Sequence, residues 1–208
     1  MLLGLLILTT ISASAASKRQ KTVRVACIGN SITYGTGIAD RTNDSYPSQL
    51  QRLLGSNYQV GNFGKSGATL LYHGHRPYVK QEEFKEAIAF KGDIAVMHLG
   101  INDTDPRNWP NYRDEFVKDY LSIMDSLRAA NPKVRIILAR MTPIADRHPR
   151  FVSGTKQWHG EIQTAIETVA RVSGANRLLR TALSVSLSLA RRYSSQSRRS
   201  RNSCQNSI

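Results

Sequence analysis

An alternation of two patterns constrains this chain more than any other feature. Four short apolar, mostly β-branched runs cover 23–28 (VRVACI), 58–63 (YQVGNF), 93–99 (DIAVMHL) and 134–139 (VRIILA). Each is followed by a stretch whose apolar residues recur every three or four positions, at 46–54, 80–90, 111–130 and 155–172. Leu50, Leu53 and Leu54 share a face in the first of these, and Phe84, Ala87 and Ile88 in the second. Phe116, Tyr120, Ile123, Met124 and Leu127 do so in the third, and Ile162, Ile166, Val169 and Ala170 in the fourth. No hairpin signal joins successive runs. Strands separated by amphipathic helices predict a mainly parallel sheet covered on both faces, a three-layer α/β/α fold. Loops at the carboxyl ends of such strands are where a site is expected.

The two ends of the chain read differently from its middle. Residues 1–11 (MLLGLLILTTI) are apolar, 12–16 are Ser and Ala, and Lys18, Arg19 and Lys21 follow. This predicts a signal peptide over 1–16 and a secreted or periplasmic protein. The run is too short to span a membrane, so no stable membrane span is expected. The folded part is expected over 22–175. Residues 176–208 hold seven Arg and nine Ser but no Asp, Glu or Lys, which predicts an aberrant or disordered tail. Half of the net charge of +14 therefore comes from this tail. Together with an export signal, that argues against nucleic acid as a partner. Cys27 and Cys204 make neither a disulfide framework nor a zinc motif, and no metal or organic cofactor is implied. Cys27, inside an apolar run, is expected to be a small buried hydrophobe.

Three loops follow the first three strands, each with small or polar residues. Gly29-Asn30-Ser31-Ile32-Thr33-Tyr34-Gly35 offers a serine just past a strand end. If a helix starts there, its unpaired N–H groups point where the hydroxyl points, an arrangement that suits a nucleophile beside an oxyanion hole. An Asn-Ser helix cap gives the same residues. Gly64-Lys65-Ser66-Gly67-Ala68-Thr69 lets a backbone N–H approach a ligand closely. Gly100-Ile101-Asn102-Asp103-Thr104 offers a side-chain donor in Asn102, and Asp103 is either a solvated carboxylate or a local cap.

Taken together, GNSITYG, GKSGAT and GINDT, with Thr142-Pro143 after the fourth strand, resemble the SGNH (GDSL-type) hydrolase family. The resemblance covers residues 23–174. It is nearest to the small secreted sialate O-acetylesterase-like and carbohydrate esterase members. It implies a flavodoxin-like fold and a serine esterase removing acyl, foremost acetyl, groups from carbohydrate or small esters. It implies Ser31 as nucleophile, with the Ser31 and Gly67 backbone N–H groups and the Asn102 side chain holding the oxyanion. A small acylated carbohydrate or ester is then the expected partner.

Two departures stand out. Asn30 replaces the usual Asp before the serine, keeping the shape without the charge. The family's closing Asp-x-x-His block is missing, and no Asp, Glu or His follows Glu167. A serine without a general base is a poor nucleophile, so this chain is expected to be weak, inactive or a non-catalytic glycan binder on the same fold. Of the five histidines, His148 in the loop after the fourth run is the best substitute base. His73 and His75 are expected in a solvated loop or lining a cleft, His98 in the core or at an edge, and His159 on a helix surface. Trp109, Trp158 and Tyr72 are read as packing residues that could also stack on sugar rings. A fifth strand expected near Ala175 is not evident. A reading-frame shift after Gly174-Ala175 would account for the composition break and the missing block together. Resequencing the locus tests this: the expected outcome is an alternative frame that encodes Asp-x-x-His.

Overall fold

The computed structural model describes residues 21–144 and 155–175, and the backbone of 177–179. Five strands form one sheet: β1 (Val23–Gly29), β2 (Tyr58–Gly64), β3 (Ile94–His98), β4 (Arg135–Ala139) and β5 (Arg177–Leu179). Their order is β2-β1-β3-β4-β5, and every pairing is parallel. The helices are α1 (Ser31–Tyr34), α2 (Arg41–Asp44), α3 (Tyr46–Leu54), α4 (Glu82–Phe90), α5 (Trp109–Tyr112), α6 (Phe116–Ala130) and α7 (Thr155–Val172). The predicted α/β architecture is the one observed.

The period of two along each strand divides the core. Ala26, Ile28, Ala95, Met97, Ile136 and Leu138 point to one face and pack with residues of α4, α6 and α7. Val25, Cys27, Ile94, Val96, Ile137 and Ala139 point to the other, where Tyr46 and Leu50 of α3 lie. Helix α6 buries the stripe read from its sequence, from Phe116 to Leu127. Phe116 meets Trp109 and Tyr120 edge-on, at centroid distances of 5.4 and 5.9 Å. Cys27 is buried as expected, and burial pushes its thiol up to about 12, so it is chemically quiet.

Several expectations need correction. The fifth strand exists: Ile137, Leu138 and Ala139 of β4 align with Arg177, Leu178 and Leu179. Three residues are too few for a period-two signal, and they fall inside a run whose periodicity is ambiguous. The sheet thus continues past the boundary expected at residue 175. The 111–130 helix is divided, because Tyr112 leaves helical geometry (φ −130°) and a 3₁₀ turn over Arg113–Glu115 precedes α6. Helix α4 starts at Glu82, two residues later than expected, because Gln81 is extended after a 3₁₀ turn over Tyr78–Lys80. Helix α2 carries no apolar stripe to reveal it; Asp40 caps it by accepting from the Asn43 N–H at 3.1 Å. Leu53 is 51% exposed although the periodicity placed it inward. Helix α3 buries only a narrow stripe of Tyr46, Pro47 and Leu50.

The last difference has a measurable consequence. Leu50→Ala should destabilise the protein by about 2–5 kcal/mol, as filled core positions do. Leu53→Ala should change stability by less than about 0.5 kcal/mol. Urea unfolding of the two variants checks both.

Candidate active site

The sheet register brings three loops to one level. Gly29 at the end of β1 aligns with Gly64 at the end of β2 on one side and with His98 at the end of β3 on the other. Space, not dihedral freedom, demands the first two glycines. A Cβ on Gly29 would sit 2.0 Å from Thr33 Oγ1, and one on Gly64 would sit 2.1 Å from the Tyr34 nitrogen. Helix α1 therefore rests directly on the two strand ends. Its first residue is Ser31, half-buried. Asn30 caps it, its Oδ1 accepting from the Ile32 N–H at 3.0 Å. The cap reading and the helix-start reading thus describe one structure. Asn30 is 1% exposed, and among the described residues its Nδ2 has no hydrogen-bond partner.

The second loop docks on the first. The Lys65 N–H donates to the Gly29 carbonyl at 2.9 Å, and the hydroxyls of Thr36 and Ser66 touch. The Ala68 N–H closes a turn onto the Lys65 carbonyl at 3.1 Å, with Gly67 at φ +78°, where glycine is favoured. The third loop docks on the second. Asn102 lies in a 3₁₀ turn over Ile101–Thr104, is buried, and its Nδ2 donates to the Ala68 carbonyl at 2.8 Å. Ser31, Gly67 and Asn102 thus lie on three loops that are bonded to one another in sequence.

Sequence reading missed what fixes the second loop. Asp103 is fully buried; its Oδ2 accepts from the Leu70 N–H and its Oδ1 from the Leu71 N–H, both at 2.9 Å. Asp119 Oδ2 accepts from the next N–H, that of Tyr72, at 2.8 Å. Three successive backbone donors are therefore caught by two carboxylates. A signal for Asp119 was present: it is an acid on the inward face of α6, between Phe116 and Ile123. Asn108 gave no such signal. It donates through Nδ2 to the Asn102 carbonyl at 3.0 Å and accepts through Oδ1 from the His75 N–H at 2.9 Å.

The histidines take varied places. His73 is exposed and its Nδ1 lies 2.7 Å from Glu115. His75 is exposed and its ring is held by Asn108. His159, expected on a helix surface, is half-buried with Nε2 3.1 Å from the Thr142 carbonyl, beside the loop that follows β4. His148 and Cys204 lie outside the described residues. His98 is 1% exposed, and among the described residues neither ring nitrogen has a partner in good hydrogen-bonding geometry. Desolvation pushes its imidazole down to about 4. Trp109 is a core residue whose Nε1 donates to Glu161 at 2.6 Å; Trp158 and Tyr72 pack partly buried against the core.

Residues 27–179 match the profile of the GDSL-like Lipase/Acylhydrolase family. The chain belongs to that family. The match runs across the composition break at residue 176 to the end of β5. An acetylxylan esterase of Xylanibacter ruminicola is 46% identical over 115 residues, which is 55% of this chain and 24% of the relative. The aligned region thus spans about a quarter of that relative's length. Among solved structures, an aryl esterase of M. smegmatis superposes with a TM-score of 0.60 at 16% identity, covering 84% of this chain and 99% of that one. A carbohydrate acetylesterase from Sinorhizobium meliloti does so with a TM-score of 0.59 at 15% identity, covering 84% and 100%. At such identities the likeness speaks for a shared fold.

The buried titratable groups of this GDSL-family fold act oppositely on stability. Burial pushes Asp103 up to about 7, against the downward pull of the Leu70 and Leu71 N–H groups. Between about pH 4 and 7 the folded chain keeps a proton that the unfolded chain has released, so this group's contribution falls as pH rises. His98 has the reverse sign: its contribution falls as pH drops from about 6.5 to 4. Asp103→Asn should remove the first slope and leave the second. Its unfolding free energy should rise with pH between 4 and 6.5 more steeply than that of the wild type. A constant offset of about 1–3 kcal/mol is expected in addition, because the amide cannot accept from both N–H groups. Urea titrations at stepped pH separate slope from offset.

Proposed function

We propose that this chain is built as a serine esterase that removes acyl groups, foremost acetyl, from a carbohydrate or a small ester. The observation that carries the reading is the docking of Asn102 on the Gly67–Ala68 turn, level with the strand end that presents Ser31. In this mechanism Ser31 Oγ attacks the acyl carbonyl and its proton passes to a base. The bond from acyl carbon to sugar oxygen breaks, and the alcohol leaves with a proton. Water then cleaves the acyl-serine. Negative charge develops on the carbonyl oxygen, where the Ser31 N–H, the Gly67 N–H and the Asn102 side chain act as donors. Loss of one such donor costs about 100-fold or more in rate. The acetylxylan esterase and carbohydrate acetylesterase relatives support an acylated carbohydrate as substrate. Residues 1–16 support export, hence a secreted or periplasmic location. Among the described residues no helix is long and apolar enough to cross a membrane.

The sequence also favours a second reading. With no Asp-x-x-His, the base is the weak part of the machinery, and a protein that holds a glycan in the same cleft without turning it over is the alternative. A fluorophosphonate probe with intact-mass detection distinguishes them. Labelling that disappears in Ser31→Ala is the expected result. An unlabelled wild type that still binds an acetylated oligosaccharide would establish the binder instead.

A further inference from the structure

We infer that Arg76 selects a carboxylate-bearing ligand, an acylated oligosaccharide carrying a uronate near the ester. This rests on the reading of Gly67 and Asn102 as the site's donors.

The argument starts from how Arg76 is mounted. Its backbone belongs to a short strap that is bonded to both donor loops. The Arg76 carbonyl accepts from the Thr69 N–H at 2.9 Å, and the Thr69 carbonyl accepts from the Tyr78 N–H at 2.9 Å. Thr69 and Pro77 form an isolated parallel bridge. On the other side, His75 is tied through Asn108 to the Asn102 carbonyl. The side chain then lies along Gly67: a Cβ built there would be 3.4 Å from Arg76 Nη1 and 3.5 Å from its Cδ. The guanidinium therefore lies beside Gly67, the residue read as a donor to the ester.

Its charge is not consumed locally. Arg76 is exposed, and among the described residues no acid lies within ion-pairing distance of it. Glu83, on which Arg76 exerts only a weak pull, is already bonded to Lys65 Nζ at 2.8 Å. A planar guanidinium with five donors matches a carboxylate by two parallel bonds, a geometry that a neutral sugar hydroxyl cannot fill.

The test reads binding, so it does not depend on turnover. Calorimetric titration of the Ser31→Ala chain compares an acetylated xylo-oligosaccharide that carries a uronate with its neutral counterpart. The uronate ligand should bind about tenfold more tightly, as one exposed charge-assisted pair allows. The preference should shrink as salt is raised. Arg76→Gln should bring the ratio near one, and Arg76→Lys should keep part of it. An equal loss for both ligands in Arg76→Gln would overturn the inference, because the guanidinium would then serve the shared acyl end. So would a wild-type ratio of one. Failure of probe labelling with the ratio intact would sink the esterase reading and leave the ligand class standing.

Discussion

Two carboxylates hold the second loop in place, and the site depends on that hold. The chain between Gly64 and Tyr78 contains no helix or strand beyond a single bridge. Its backbone donors would be orphaned inside the protein without acceptors supplied from elsewhere. Asp103 and Asp119 supply them to Leu70, Leu71 and Tyr72 in a row. Ionised carboxylates are strong acceptors, yet both are raised above their ordinary range, first by burial, with a smaller push from Asp119 on Asp103 and from Glu115 on Asp119. The loop is thus fixed by groups whose charge the surroundings resist. Asn102, one residue before Asp103, reaches the same loop from the same turn. Positioning of the second loop and placement of its neighbouring donor are therefore one structural event.

Much of the fold was readable from the sequence because its signals are local. Short apolar, β-branched runs gave β1 to β4, and inward stripes gave α6 and α7, since both depend on neighbours a few residues apart. The elements that escaped are those that tertiary contacts create. Strand β5 is three residues at the edge of β4, and α2 is a polar turn closed by one cap. Leu53 looks inward by spacing, but which leucines are covered depends on what α3 lies against.

The candidate site divides in the same way. Ser31, Gly67 and Asn102 were singled out by the resemblance of three loop motifs to one family, and the register of Gly29 with Gly64 and His98 brings those loops to one edge of the sheet. Asp103 was visible only as a choice between solvated and capping, because nothing local says that its acceptors serve residues 32 and 33 positions away. His98 carried no sign of what its ring would meet in the core. A strand histidine looks the same whether a hydroxyl or a hydrocarbon awaits it.

The glycines under α1 have a consequence for how such a chain can diversify. Any side chain at Gly29 or Gly64 would collide with Thr33 or with the Tyr34 backbone, so the seat of Ser31 admits almost no variation. Adaptation to new ligands must then be written where the scaffold leaves slack. The outward-facing chain at Arg76 leaves such slack, its main chain anchored and its side chain exposed. A rigid seat with an editable border lets a lineage alter what it accepts without rebuilding how it reacts.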